Sequence, residues 1–70
     1  MDRSWMAKRR KKLGLTQKEV ADAAGIAPNY LSQIEHGIRE GKGETLLKLA
    51  QTLGVPLEWF YRSSSKEADR

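Results

Sequence analysis

Residues Thr16–Gly37, TQKEVADAAGIAPNYLSQIEHG, predict two short helices joined by a tight turn. The first of these helices begins at Thr16, whose hydroxyl can cap free backbone N–H groups, and Glu19, three residues later, completes a capping box. Gly25 ends this helix, because the chain must turn sharply there and only glycine does so without strain. The second helix starts at Pro28, whose fixed φ suits the first helical position.

The second helix of this unit has an apolar side and a polar side. Leu31 and Ile34, at helical spacing, mark the side that faces the core. The opposite side carries polar residues, with Tyr30 at its flank: Asn29, Ser32, Gln33 and His36. An α-helix fits the major groove of duplex DNA, where Asn and Gln can bond bidentately to adenine and an apolar surface can contact the thymine methyl. A solvated helix face is the alternative interpretation of the same pattern.

Three further helices are predicted, one before this two-helix unit and two after it. The first runs from about Asp2 or Arg3 to Leu13, with Met6 on the same face as Leu13. The fourth spans about residues 44–53, where leucine and alanine recur at i, i+3, i+4 and i+7. A short fifth helix brings three residues to the core or to an interface: Leu57, Trp59 and Phe60.

The chain as a whole is short and contains no cysteine. Its 70 residues fit one domain, and 39% hydrophobic residues suffice for a small core. We therefore predict an all-α fold, a compact bundle of about five short helices over residues 1–61, followed by a polar, disordered tail over residues 62–70. No apolar run is long enough for a signal peptide or a membrane span, which predicts a cytoplasmic protein without membrane contact.

The sequence lacks the residue combinations that catalysis, a disulfide or a metal site would require. There is no cysteine for a disulfide or a thiolate metal site, and the single histidine, His36, has no companion ligand. The scattered carboxylates offer neither a catalytic pair nor a nucleophile with its base. We therefore predict that the protein is not an enzyme and uses no cofactor or metal.

Charge is unevenly distributed along the chain. Residues 1–43 contain nine Lys or Arg and five Asp or Glu, a balance of +4, whereas residues 44–70 contain four of each, a balance of zero. The two-helix unit lies in the basic half, which favours an anionic partner and contacts with phosphates. A basic surface that merely keeps the protein soluble is the alternative explanation.

One ordered series of residues extends over roughly Met6 to Phe60. Its members are Arg10, Gly14-Leu15-Thr16-Gln17, Ala21, Gly25-Ile26, Tyr30-Leu31-Ser32, Ile34-Glu35, Gly37, ETLLKLA at residues 44–50, and Leu53-Gly54-Val55. In order and spacing this series resembles the helix-turn-helix family of the lambdoid phage repressors and Cro proteins, also called XRE-like regulators. The resemblance implies a lambda-repressor-like domain whose partner is double-stranded operator DNA.

The resemblance also implies roles for particular residues. Gln17 should brace both the DNA backbone and the helix of residues 28–36, while Arg10 and Glu35 should form a salt bridge between the first and third helices. Exposed residues at the start of helix 28–36 should contact base edges: Pro28, Asn29, Tyr30, Ser32 and Gln33. Further candidates for DNA-backbone contact, each with an ordinary solvated position as the alternative, are Lys18, His36, Arg39 and Lys42.

These interpretations favour a sequence-specific regulator of transcription, and a repressor in particular. Because one small domain makes few base contacts, we predict a homodimer at least on DNA, with half-sites about 34 Å apart and with Trp59 and Phe60 as candidate interface residues. The alternative is a protein-interaction module or antitoxin component that reuses the same fold and anchors a partner through aromatic residues: Trp5, Trp59, Phe60 and Tyr61. A regulatory protein partner is compatible with either function.

Overall fold

The computed structural model describes residues 3–62, and across these residues it contains five helices and no strand. The helices are α1 (Ser4–Lys12), α2 (Gln17–Ala24), α3 (Pro28–Glu35), α4 (Gly43–Leu53) and α5 (Glu58–Arg62). This architecture confirms the predicted all-α bundle of five short helices. Arg62 is the last residue of α5, and the rest of the predicted tail, residues 63–70, lies outside the described residues.

Helix ends differ from the prediction by one or two residues. α1 ends at Lys12 rather than Leu13, and α3 ends at Glu35, so that His36 is its C-cap residue. α4 begins one residue earlier than predicted, at Gly43. Differences of this size are usual at helix termini. They leave the predicted order of the helices unchanged. Leu13, predicted to share a face with Met6, lies past the end of α1 and is 42% exposed, whereas Met6 is fully buried.

The boundaries of α2 are set by the predicted local signals. The Thr16 hydroxyl accepts a hydrogen bond from the backbone N–H of Glu19 at 3.1 Å, and the Glu19 carboxylate accepts one from the backbone N–H of Thr16 at 2.8 Å. This reciprocal capping box confirms the prediction. At the other end Gly25 adopts a left-handed conformation, φ +73°, which a side chain would strain. The turn between α2 and α3 therefore follows from the sequence around it.

A single apolar core holds the helices together. α2 packs against both α3 and α4, and the small, fully buried Ala21 allows this close approach. The core residues are Met6, Val20, Ala21, Ala24, Leu31, Ile34, Leu46, Leu49, Ala50, Leu53, Val55 and Phe60. Because Leu31 and Ile34 are completely buried in this core, the opposite side of α3 faces away from it.

Two arginines near the start of the described chain donate hydrogen bonds to backbone carbonyl oxygens of distant residues. Arg3 is 1% exposed and donates to the carbonyl oxygens of Glu40 at 2.6 Å and Phe60 at 3.4 Å. Its guanidinium also lies 5.4 Å from the centre of the Phe60 ring, a cation–π distance. Burial lowers the pKa of Arg3, and the nearby charge of Glu40 partly opposes this shift. Arg9 donates to the carbonyl oxygen of Leu53 at 2.8 Å, where a positive charge suits the C-terminal end of α4.

Three aromatic residues of α1 and α5 pack against each other and against the core. Trp5 contacts the rings of Trp59 and Phe60 edge to face, with ring centroids 5.4 and 5.0 Å apart. The Phe60 side chain is 1% exposed, so the prediction that it forms a dimer interface is wrong: it completes the core. Trp59 is half-buried against the same core, which leaves only part of its ring available to a partner.

Candidate nucleic-acid interface

The outward side of α3, formed by Asn29, Ser32 and Gln33, is the polar surface that the sequence predicts. Asn29 is exposed, while Ser32 and Gln33 are half-buried and still accessible. Pro28, at the first helical position, is also exposed. Tyr30 packs partly against the core, so less of its ring is open to a ligand than the prediction assumed. All five candidate base-contacting residues therefore keep some surface open to solvent, with Pro28 and Asn29 exposed and the other three half-buried.

The end of α3 turns back onto the helix through Gly37. Gly37 has φ +75°, a left-handed conformation that closes the helix. After this turn the backbone N–H groups of Ile38 and Arg39 donate to the carbonyl oxygen of Gln33, at 2.9 and 3.2 Å. The Arg39 side chain then donates from Nε to Oε1 of the Gln33 side chain at 2.8 Å. A predicted phosphate contact, Arg39, is therefore in direct contact with a predicted base contact.

Three polar side chains join α1, α2 and α3 beneath this surface. Arg10 Nε donates to Glu35 Oε2 at 2.9 Å, and the two side chains are 11% and 5% exposed, which makes this a buried ion pair. Gln17 Nε2 donates to the other carboxylate oxygen of Glu35 at 3.0 Å. Arg10 also donates to the carbonyl oxygen of Leu15 at 3.2 Å. Gln17 is thus fixed to the last residue of α3, and its contact with the DNA backbone stays a prediction.

The remaining candidates for DNA-backbone contact are exposed. Lys18 forms a 3.0 Å ion pair with Asp22, but both side chains are more than 60% exposed, and a surface pair of this kind contributes only about 0–1 kcal/mol. Arg39 and Lys42 are exposed in the loop between α3 and α4. Lys18 can therefore leave Asp22 for a phosphate at little energetic cost.

His36 is less suited to a phosphate than its position suggests. Its Nδ1 lies 2.7 Å from the carbonyl oxygen of Ser32, and a carbonyl oxygen only accepts, so Nδ1 carries the proton and donates. In the neutral ring this leaves Nε2 as an acceptor, which repels a phosphate oxygen. Only the charged imidazolium would serve as a donor on that side.

The basic charge of residues 1–43 divides into an internal and an external set. Three of the nine basic residues, Arg3, Arg9 and Arg10, hold the bundle together through carbonyl and carboxylate contacts. The remaining six are exposed: Lys8, Lys11, Lys12, Lys18, Arg39 and Lys42. Composition alone missed this division, because it records a charge and not its partner.

Other kinds of site are not found in the part of the chain that the structure describes. Between residues 3 and 62 no group of His, Cys, Asp or Glu side chains is arranged to hold a metal ion. Over the same residues no helix combines the length and the apolar character needed to cross a bilayer. The candidate site consists of the outward side of α3 and the exposed cations of α2 and of the loop after α3: Lys18, Arg39 and Lys42.

Comparisons with known proteins show the family to which the chain is similar. Residues 6–60 match the family model HTH_3, described as helix-turn-helix. The chain is 47% identical over 49 residues to the uncharacterized HTH-type transcriptional regulator y4dJ of Sinorhizobium fredii, covering 70% of this chain and 64% of that relative. It is 36% identical over 67 residues to the uncharacterized HTH-type transcriptional regulator YqaF of Bacillus subtilis, covering 96% and 88%. It is also 39% identical over 51 residues to the HTH-type transcriptional regulator ImmR of the same bacterium, covering 73% of this chain but only 40% of that relative.

Proposed function

This chain belongs to the helix-turn-helix family HTH_3, and on that premise we propose that it is a sequence-specific transcriptional regulator that binds double-stranded DNA. In this proposal the helix of residues 28–36 enters the major groove. The observation that carries it is the two-sidedness of α3: Leu31 and Ile34 are 0% exposed, while Asn29 on the opposite side is open to solvent. A helix anchored in this way can present its polar side to base edges without disturbing the core.

The base contacts come from the first two turns of α3. Asn29 and Gln33 carry amide groups that match hydrogen-bonding patterns of the major groove, and Ser32 lies between them. Pro28 and the exposed part of Tyr30 supply apolar surface for a thymine methyl. These five residues are the proposed base-contacting set.

The DNA-backbone contacts come from the elements around α3. Lys18, Arg39 and Lys42 are exposed cations that can neutralise phosphates. Gln17, held by Glu35 through one N–H, retains a second amide N–H that can donate to a phosphate. His36 would join them only as an imidazolium.

We further propose that the protein acts as a homodimeric repressor in the cytoplasm. A single domain of this size makes few base contacts, and a dimer on half-sites about 34 Å apart would double them. Because Phe60 is internal, the interface would use exposed apolar side chains of α4 and α5, such as Leu47 and Tyr61, which are 46% and 48% exposed. Occupying a promoter is enough to repress it, whereas activation would require a further contact with the polymerase.

The alternative of a protein-interaction module or antitoxin component has less support. It depended on four aromatic anchors, of which Phe60 is internal and Trp5 and Trp59 pack against the core and each other, so that Tyr61 alone is exposed. The HTH_3 family is a non-enzymatic one, which agrees with the sequence-based exclusion of catalysis.

Selection of bound sites from a library of random duplexes tests the proposal. We expect one enriched sequence, bound more weakly as salt rises. Asn29→Ala should relax the preference at one base position by roughly 1–3 kcal/mol. Gln51→Ala, a matched loss of an exposed side-chain amide on α4, should leave base preference unaltered. Absence of enrichment, or an Asn29→Ala profile identical to that of the original protein, would refute the proposal.

A further inference from the structure

We propose that Arg39 determines which base Gln33 recognises, by fixing the Gln33 side-chain amide as a hydrogen-bond donor toward guanine. This inference rests on the proposed function, since it takes α3 to lie in the major groove. It assigns Arg39 a part in sequence specificity, beyond the phosphate contact that its charge alone suggests.

The geometry that carries the inference is the loop that follows α3. The left-handed Gly37 reverses the chain, and the backbone N–H of Arg39 donates to the carbonyl oxygen of Gln33 at 3.2 Å. The side chain then makes a second connection to the same residue, from Arg39 Nε to Gln33 Oε1 at 2.8 Å. Arg39 is thus held to Gln33 through both backbone and side chain. Because the backbone of Arg39 already lies beside Gln33, the contact between the two side chains is local.

The chemistry of arginine fixes the orientation of the amide. A guanidinium has only donors, so the Gln33 oxygen must be the atom that faces Arg39. The amide nitrogen, with its two N–H groups, then points to other partners. Arg39 keeps its Nη groups as further donors beside it. Together the two side chains form a surface of donors, and one of the two lone pairs of the Gln33 oxygen is occupied by Arg39.

This donor surface matches guanine better than adenine. Bidentate pairing of glutamine with adenine requires the amide oxygen to accept from N6 while the amide nitrogen donates to N7. Guanine instead offers two acceptors, N7 and O6, in the major groove. Once water leaves the groove, the Arg39–Gln33 hydrogen bond becomes stronger than it is in solvent, because the local dielectric falls. Because the Gln33 oxygen is turned toward Arg39 and the groups left for a base are mainly N–H donors, we expect Gln33 to prefer guanine over the adenine that the sequence suggested.

The test measures base preference at one position of the selected duplex. Gln33→Ala first identifies the base pair whose preference depends on Gln33. That pair is then changed to each of the four possibilities, and binding is compared for the unmodified protein, Arg39→Met and Lys42→Met. Lys42→Met is the matched control, because it removes one positive charge from an exposed residue of the same loop. Thermal melts of all variants verify that they fold.

We expect the unmodified protein to prefer guanine over adenine at that pair by about tenfold. Arg39→Met should lower this preference by about fivefold or reverse it, while Lys42→Met should weaken all four duplexes alike. Three outcomes would overturn the inference while leaving sequence-specific binding intact: an adenine preference in the unmodified protein, equal effects of both Met variants on all four duplexes, or no position that depends on Gln33. If the unmodified protein distinguishes no duplexes at all, the proposed function fails together with it.

Discussion

Two regions of the molecule are held by different kinds of contact. One is the α2–α3 unit. The other, here called the junction, is where residues 3–9 meet α4 and α5. Within the α2–α3 unit the capping box joins residues three positions apart, and Gly25 supplies the turn. At the junction Arg3 reaches carbonyls 37 and 57 positions away, and Arg9 reaches one 44 positions away. The α2–α3 unit leaves a polar side of α3 exposed, whereas at the junction Arg3 is buried and Arg9 is half-buried. Some basic residues of this chain therefore stabilise the fold, while others are exposed and can meet a ligand, and the two groups differ in their hydrogen-bond partners.

The largest expected effect concerns the junction. Phe60→Ala removes a fully buried ring, and we expect it to lower the free energy of unfolding by about 3–5 kcal/mol. Chemical denaturation followed by circular dichroism measures this loss. Ile38→Ala, in which the lost side chain is 73% exposed, is the control and should change stability far less. A Phe60→Ala protein of unchanged stability that no longer self-associates would instead support the interface role that we reject.

The next effect concerns the buried ion pair beneath α3. Glu35→Ala leaves the Arg10 guanidinium unpaired in a site that is 11% exposed and also removes the partner of Gln17. We expect a loss of about 3 kcal/mol in the free energy of unfolding. The double variant Arg10→Met with Glu35→Leu removes both charges and should recover much of that loss. A single variant as stable as the original protein would show that the pair does not support the fold.

A smaller effect is expected where the junction meets the loop after α3. Arg3→Met removes the donor to the carbonyl oxygens of Glu40 and Phe60 but keeps an apolar side chain and releases a desolvated charge. The two terms oppose each other, and we expect a net loss of about 1–2 kcal/mol in the free energy of unfolding. Lys8→Met, the loss of an exposed cation on α1, is the control. Equal stabilities of the two variants would contradict the internal role of Arg3.

The smallest effect on stability is expected at the DNA side. Lys42→Met should change the free energy of unfolding by no more than about 0.5 kcal/mol, because the residue is exposed. In DNA binding it should weaken all sequences alike and reduce the slope of log affinity against log salt by about one unit. Fluorescence anisotropy at several salt concentrations measures that slope. An unchanged slope would remove Lys42 from the phosphate contacts.

The contrast between the two regions also explains what the sequence could predict. Thr16, Glu19, Gly25 and Pro28 act on their immediate neighbours, so their effects are visible in a short stretch of sequence. The periodic leucines of α4 are local in the same sense. The Arg10–Glu35 pair came from a resemblance, which carries long-range information that spacing does not.

The errors and omissions all involve partners that are distant in the chain or that depend on a turn. Nothing near Arg3 or Arg9 indicates that their partners are carbonyls at the far end of the sequence. Phe60 lies on a short helix whose apolar residues suited a core and an interface equally, and only packing decides between them. The hydrogen bond between Arg39 and Gln33 depends on the left-handed conformation of Gly37. The sequence signal for this contact was a glycine at the end of the helix, closely followed by a basic residue.

Mapping the DNA-contacting surface tests the central proposal most directly. Backbone amide resonances of the isotopically labelled protein would be followed by NMR as the selected duplex is added. We expect the largest shifts at the start of α2, along the outward side of α3, and in the loop that carries Arg39 and Lys42, with small shifts around Trp5 and Phe60. Large shifts on α4 and α5 with an unaffected α3 would contradict the proposal that α3 contacts the bases.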